Sequence, residues 1–246
     1  MSSTSAPLIH LPDVSDAERD ETCDEITRMA AGLPSIEILV GTAELARCAP
    51  LLSGDGLLTR AEVLELIVPI VETLFDPRAT VGIRFHAQLI VMLNFPSIPE
   101  SLALQAAFGR RAGEAQFRKI ARLANRAERR GLSLDEYIEA LASADEIPRD
   151  IPLRLFLGEI DRKPDAARIA TAVALLRRSS ALAVDPLRPS IFCALGWLMW
   201  AQGKRALGVG YLSEALRIDP DHAEAAGMLF HIGSHQPAWV RHDVKR

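Results

Sequence analysis

The sequence predicts an all-α protein, a helical bundle that leads into a short stack of helix hairpins. Aromatic residues make up only 5% of the chain, while Ala and Leu are abundant, and this composition favours helices packed on helices. The capping-box spacing, Ser or Thr followed three residues later by Glu, begins at Ser15, Thr59 and Ser133. Near the end of the chain, two apolar helical stretches meet at Gly203, and the second stops at Pro220.

The chain is long enough for one large domain or two small ones, with 246 residues. Residues 1–14 are rich in Ser and Pro and are expected to form a flexible N-terminal segment. Residues 15–145 are expected to form a helical region whose role the sequence does not indicate. Residues 146–246 are expected to form a repeat-like helical C-terminal region.

The first helix is predicted to begin at Ser15, whose side chain and that of Glu18 each satisfy the other's backbone N–H in a capping box. It should end near Ala31, before a glycine. The next apolar run, Ile36–Val40, fits either a short strand or the start of a helix that ends near Cys48. We favour the helix.

A further helix is predicted from Thr59 to Phe75, with a kink at Pro69, and the Asp76-Pro77 pair should begin the one after it. Apolar periodicity and breaker residues place the remaining helices. Their approximate bounds are 79–93, 100–111, 114–130, 134–143, 152–159, 165–183, 189–202, 204–218 and 222–232.

The C-terminal hairpin resembles a tetratricopeptide repeat, a motif that places small residues where two helices cross closely and a proline after the second helix. Its structural positions here are Phe192, Leu195, Gly196, Gly203, Gly208, Leu212, Ala215 and Pro220. "ALAVDP" ends 34 residues before "ALRIDP", which is the length of one such repeat. The resemblance implies a short stack closed by the helix that starts at His222, with a small concave surface. The hairpin could bind a partner there, or it could serve only to close the end of the stack.

The stretch from about Ala124 to Trp239 also resembles the C-terminal part of the actinobacterial domain-of-unknown-function family 4192. The likeness rests on "GLSLDEYIEAL", on "IPRDIPL" with Arg149 and Asp150, on the hairpin itself and on "HQPAW". The Leu-Gly-Phe and Ser-Leu-Val pattern that usually begins the family's N-terminal region has no equivalent here, as in a shortened or divergent member. The resemblance implies no known reaction. Asp150 is expected to cap the following helix.

The strongest local charge lies between Arg110 and Arg130, where eight basic residues stand against two acidic ones. Arg118, Arg122, Arg126 and Arg130 are spaced by four, so they should share one helical face. Such a row could contact the phosphates of a nucleic acid or another polyanion. It could equally be a solvated face, or pair with the acidic N-terminal segment. No aromatics interleave the arginines, so stacking on bases is not suggested.

The remaining features indicate a protein without an assigned reaction. The three cysteines, Cys23, Cys48 and Cys193, are far apart, so we expect reduced thiols, no disulfide framework and a cytoplasmic protein. No secretory signal or membrane helix is apparent. His231 and His235 are four apart but lack further ligands at metal-binding spacing, so no metal or other cofactor is expected.

Three functions remain open on these observations. The first is a non-enzymatic helical protein-interaction or scaffold module of unknown partner, whose C-terminal part is a short repeat-like stack. The second is a regulator that touches nucleic acid or another polyanion through the Arg118–Arg130 face, since the net charge of −4 excludes general coating of nucleic acid but not a local basic site. The third is a helical enzyme that lacks a recognisable motif.

Overall fold

The computed structural model describes residues 9–31, 68–69, 71–73, 75, 81–94, 97–144 and 146–241. Within these ranges the chain contains eleven α-helices, one 3-10 turn and no strand, so the prediction of an all-α fold is confirmed. In chain order, the α-helices are α1 (Asp16–Ala31), α2 (Ile83–Leu93), α3 (Ile98–Phe108), α4 (Arg110–Glu128), α5 (Leu134–Ser143), α6 (Ile151–Phe156), α7 (Ala166–Leu182), α8 (Arg188–Ala201), α9 (Arg205–Ile218), α10 (Ala223–Ser234) and α11 (Ala238–Arg241). The 3-10 turn, Asp185–Leu187, precedes α8.

Two of the predicted capping boxes are present. The Ser15 backbone N–H donates to Glu18 Oε2 at 2.9 Å, and the Glu18 N–H donates to Ser15 Oγ at 3.3 Å. The same reciprocal pair joins Ser133 and Glu136 at the start of α5. The predictions for Ile36–Val40, for the Thr59 capping box, for Cys48 and for Asp76-Pro77 lie outside the described residues.

The boundary between α3 and α4 lies earlier than the sequence predicted. The chain turns at Gly109, whose φ of 85° lies in the left-handed region that favours glycine. Its carbonyl accepts from Ala112 and its N–H donates to Gln105, so one residue ends α3 and begins α4. The break between α2 and α3 is shorter than the predicted Asn94–Glu100, because α3 already begins at Ile98. Pro99 lies in the first turn of α3, where a backbone N–H would have no partner within the helix.

Helix α8 lies at the centre of the molecule. Twelve of its fourteen residues are buried; it packs on α9 and α10 on one side and on α2, α3 and α7 on the others. The close approach to α9 depends on two facing glycines. A Cβ at Gly208 would lie 2.7 Å from the Gly196 carbonyl oxygen, and one at Gly196 would lie 2.9 Å from Leu212 Cγ. The predicted crossing of small residues, including the fully buried Ala215, is therefore present.

A buried aromatic cluster joins the C-terminal helices to α3. Trp197, Trp200 and Trp239 are at most 3% exposed. Phe108 of α3 meets Trp197 and Trp239 edge to face, with ring centroids 6.4 and 5.6 Å apart. Each indole N–H donates to a backbone carbonyl: those of Phe156, His235 and Ala201. The hydrophobic core therefore runs continuously from α3 into the hairpin.

The described part of the N-terminal segment lies against this core. Ile9, Leu11 and Val14 are partly buried on it, and the His10 carbonyl accepts a hydrogen bond from Arg177. Helix α1 packs on α2 and α7, where Glu18 pairs with Arg178 at 2.6 Å. The described part of the N-terminal segment and α1 thus both contact α7.

Candidate functional site

Helix α4 presents an exposed basic face, which we call the arginine face and define as Arg111, Arg118, Arg122, Arg126 and Arg129. The helix has a strongly one-sided pattern, because its apolar residues, among them Phe117, Ile120 and Leu123, are buried on the opposite side. The face is therefore held by a packed helix. Its arginine side chains extend into solvent.

The arginines of this face differ from most of the other arginines that the structure describes in lacking acidic partners. Within the described residues, no ion pair involves Arg111, Arg118, Arg122, Arg126 or Arg129. Arginines elsewhere pair with carboxylates, namely Arg19, Arg28, Arg110, Arg149, Arg154, Arg168, Arg178, Arg188 and Arg217. In the described region the acidic N-terminal helix α1 pairs with α7, so its Glu18 does not neutralise the arginine face.

Arg130 lies apart from this row. Helix α4 ends at Glu128, Arg129 continues its helical path with φ −62° and ψ −18°, and Arg130 follows in the turn toward α5. Its guanidinium carbon lies 5.1 Å from the ring centroid of Tyr137 on α5, in a cation–π contact. The structure thus brings Arg118, Arg122 and Arg126 onto one helix and places Arg130 beyond its end. The sequence interpretation missed Arg111 and Arg129, which helical phase would have shown.

Arg149 and Asp150 have different structural roles. Asp150 caps α6, as expected, because its Oδ1 accepts from the Leu153 N–H at 3.1 Å. The same oxygen accepts from Lys119 Nζ at 3.2 Å, although the Lys119 side chain is only 10% exposed. Arg149 is exposed and pairs with Glu159. Asp150 therefore connects α6 to α4 and neutralises Lys119, a buried cation on the same helix as the arginine face.

Replacing Asp150 by Ala should lower the free energy of unfolding by about 3 kcal/mol, because α6 loses its cap and the Lys119 ammonium loses its partner in a poorly solvated place. Asp150→Asn should lower it by about 2 kcal/mol, because an amide oxygen still caps the helix but carries no charge. Urea unfolding curves of the two variants measure the difference. Equal losses would contradict a separate role for the ion pair.

Ser190 and His222 form the pair that most resembles a nucleophile with its base, with Ser190 Oγ 3.3 Å from His222 Nε2. His222 Nδ1, however, accepts from the Ala225 N–H at 3.2 Å, as the N-cap of α10. The neutral ring therefore carries its proton on Nε2 and donates it to Ser190. Burial lowers the pKa of His222, which keeps the ring neutral. In this tautomer His222 is a cap and is not placed to accept a proton from Ser190.

The other buried titratable groups are also engaged in packing. His86 is 2% exposed, with Nδ1 2.9 Å from Ser179 Oγ. Burial, together with the nearby Arg178, lowers its pKa to about 4, so the ring is neutral near pH 7. Burial raises the pKa of the Cys193 thiol, and the charges of Glu224 and Glu100 raise it further. That thiol is consequently protonated and a poor nucleophile.

His231 and His235 stack on each other, with ring centroids 4.9 Å apart. His231 Nε2 lies 3.2 Å from the Leu157 carbonyl oxygen, and His235 Nδ1 lies 3.2 Å from the His231 carbonyl oxygen. Burial is the main cause that lowers the pKa of His231, followed by the adjacent His235. In the described part of the chain, no three His, Cys, Asp or Glu residues are grouped so as to hold a metal ion.

The first helix of the hairpin offers little open surface. The first hairpin helix, α8, is covered by α2, α3 and α7, so the inner surface that a helical-repeat stack would use for binding is occupied by the protein's own helices. Ala174, the counterpart of Gly208 one repeat earlier, is exposed, so α7 makes no equivalent glycine-type crossing there. The hairpin positions therefore act mainly in packing.

Helix α10 closes the far end of the hairpin. Ala225, Met228 and Ile232 are buried against α8 and α9, whereas Phe230 on the outer side is 76% exposed. A Cβ at the neighbouring Gly227 would contact nothing within 4 Å. The outer side of α10 is thus open and carries an aromatic residue.

Comparisons with known proteins return no match among protein-family models, curated proteins or solved structures. The resemblance to family 4192 and to a tetratricopeptide repeat therefore stays a prediction from the sequence. No helix in the described ranges has the length and apolar character needed to cross a membrane.

Proposed function

We propose that this chain is a non-enzymatic helical module that acts by binding a partner, and that the arginine face of α4 binds the phosphates of a nucleic acid. The observation that carries the proposal is the row of exposed arginines without acidic partners in the described structure. Guanidinium groups bind phosphates in a bidentate manner. A row of them releases counterions from a polyanion, which supplies most of sequence-independent affinity.

The residues between the arginines favour nucleic acid over an acidic protein as the partner of this face. The residues between the arginines are small or polar, such as Ala115, Ala121 and Asn125. Protein interfaces need a desolvated centre with aromatic or aliphatic anchors, and these positions supply none. A phosphate backbone needs only the charges. The first hairpin helix, α8, is covered by α2, α3 and α7, so the concave surface implied by the repeat resemblance is not open to a partner.

The arrangement of polar groups supports binding over catalysis. His222 caps a helix, His86 bonds to a buried serine, and Asp150 caps α6 while it pairs with Lys119. Each of these groups has a structural partner that its chemistry requires. A catalytic group of the same type would need a free proton-accepting atom directed at substrate.

The triple variant Arg118→Ser, Arg122→Ser, Arg126→Ser should abolish retention of the protein on immobilised DNA at 50 mM NaCl, because the three changes remove the central charges of the face. The matched control is Arg28→Ser, Arg205→Ser, Arg217→Ser, which removes the same charge from exposed positions on α1 and α9. The control should elute at the wild-type salt concentration. Absence of wild-type retention at low salt would disprove the proposal.

Contact with another protein is the second candidate, and the observation in its favour is the exposed Phe230 on the open side of α10. An apolar contact there would change little between 50 and 200 mM NaCl, whereas binding by arginines would weaken steeply. A partner whose binding resists salt and is lost on Phe230→Ser would support this second function.

A further inference from the structure

Resting on the proposed function, we propose that the nucleic acid is duplex DNA, held by its phosphates without regard to sequence. The structure assigns the contact to Arg111, Arg118, Arg122 and Arg129. This set differs from the row spaced by four that the sequence suggested, because it includes both ends of α4 and omits Arg130. Arg126 flanks the row on one side.

Helical phase separates the two sets. Each residue of an α-helix advances about 100° around the axis, so the spacings of seven, four and seven residues keep these four arginines within an arc of about 40°. Residues spaced by four are rotated by about 40° around the helix axis at each step, so they do not lie along one straight line. The chosen four span about 27 Å along the axis, at a rise of 1.5 Å per residue. The result is a straight row of cations.

The conformation of the side chains agrees with this register. Arg122 Nε donates to the Arg118 carbonyl oxygen at 3.1 Å, which holds one guanidinium along the face with its outer nitrogens free for phosphate. The charge of Glu114, at the edge of the face, is taken by Arg110 at 2.8 Å. The Arg130 guanidinium is directed to the Tyr137 ring. These contacts hold the Arg122 side chain in place and leave the charge of the row available.

Arg111 stands where helix electrostatics disfavour it. It lies in the first turn of α4, which has no acidic residue, and the positive end of a helix repels cations there. Arg110 is relieved by Glu114, but Arg111 has no acidic partner within the described residues. A bound phosphate would relieve both the arginine charge and the positive helix end, which supports including Arg111 in the contact.

A duplex matches this row better than a single strand. Duplex DNA is stiff and carries one charge per about 1.7 Å of its axis, so it can meet a rigid row over its whole length. Proteins that bind single strands add aromatic platforms on which bases stack. Ala115, Ala121 and Asn125 lie between the arginines, and none provides such a platform.

The test is fluorescence anisotropy of a labelled 30-base-pair duplex of mixed sequence, titrated with the full-length chain at 50, 100 and 200 mM NaCl. Four phosphate contacts predict a slope of log affinity against log salt of about −3.6, a loss of roughly 100-fold over this range. Arg111→Ser with Arg129→Ser should reduce the slope to about −1.8. Arg130→Ser alone, and the charge-matched pair Arg28→Ser with Arg217→Ser, should leave it near −3.6.

Each other outcome overturns part of the inference. If Arg130→Ser reduces the slope while the Arg111 and Arg129 pair does not, the register is wrong although the proposed function stands. Equal or tighter binding of the single strand would overturn the choice of duplex DNA and leave the proposed function standing. Equal or tighter binding of polyglutamate, or no binding of either the duplex or the single strand at 50 mM NaCl, would overturn both the inference and the proposed function. Circular dichroism and melting temperature confirm that each variant is folded.

Discussion

Gly208→Leu is expected to lower the free energy of unfolding by about 3 kcal/mol, because the space between α8 and α9 at this point is occupied by backbone. A Cβ there would lie 2.7 Å from the Gly196 carbonyl oxygen and 3.4 Å from the backbone nitrogen of Trp200. Backbone atoms cannot rotate away as a flexible side chain would, so the two helices have to separate. Separation would open the packing around the fully buried Trp200.

The measurement is chemical denaturation, supported by a melting temperature expected to fall by about 6–12 °C for a chain of this size. Gly227→Leu is the matched control, since Gly227 is also helical but a Cβ there meets nothing within 4 Å. That change should leave stability equal or raise it by about 0.5–1 kcal/mol, because leucine is the better helix former. Similar effects of the two variants would contradict the close crossing of α8 and α9.

Gly158→Ala is expected to lower the free energy of unfolding by about 3–4 kcal/mol, from backbone strain and a steric clash together. Gly158 has a φ of +71°, and its Cβ would lie 2.7 Å from Trp200 Cη2 and 2.9 Å from the Pro237 Cα. The Gly158 carbonyl also accepts from the Ala238 N–H at 2.7 Å. A shift at this point would therefore displace both α11 and the aromatic cluster.

Gly131→Ala separates the two causes. Gly131 has a similar φ of +67°, but a Cβ there meets nothing within 4 Å, so only strain of about 1–2 kcal/mol is expected. The difference between the variants in urea unfolding measures the clash. Tryptophan emission should shift to the red in Gly158→Ala alone, as the indoles gain water. Equal losses of unfolding free energy in both variants would mean that the steric clash with Trp200 and Pro237 does not contribute.

Sequence patterns gave correct predictions where the interaction joins residues that are close together in the chain. The capping boxes at Ser15 and Ser133 form as predicted, because each is closed by side chains three residues apart. Asp150 caps α6 for the same reason. The arginine face was visible as charge, yet its membership was incomplete. A count by fours omitted Arg111 and Arg129, and it could not show that α4 ends before Arg130.

The sequence could not show how the hairpin is used. The glycines at positions 196 and 208 predicted that two helices approach closely, and α8 and α9 do so. The prediction succeeded because a glycine has no side chain to keep the two backbones apart. Whether α8 would line an open surface depended on α3, which lies some ninety residues earlier and packs across it. Sequence spacing carries no information about such a contact.

The sequence by itself determined the helical class, the starts of the helices that carry side-chain caps and the local excess of arginine, because propensity, capping and charge act between neighbours. Only the tertiary structure decided that the first hairpin helix, α8, is covered by α2, α3 and α7, that Asp150 neutralises Lys119, and that the arginines of α4 lack acidic partners in the described region. Burial and ion pairing depend on residues brought together from distant parts of the chain, and the packing of the whole core fixes them.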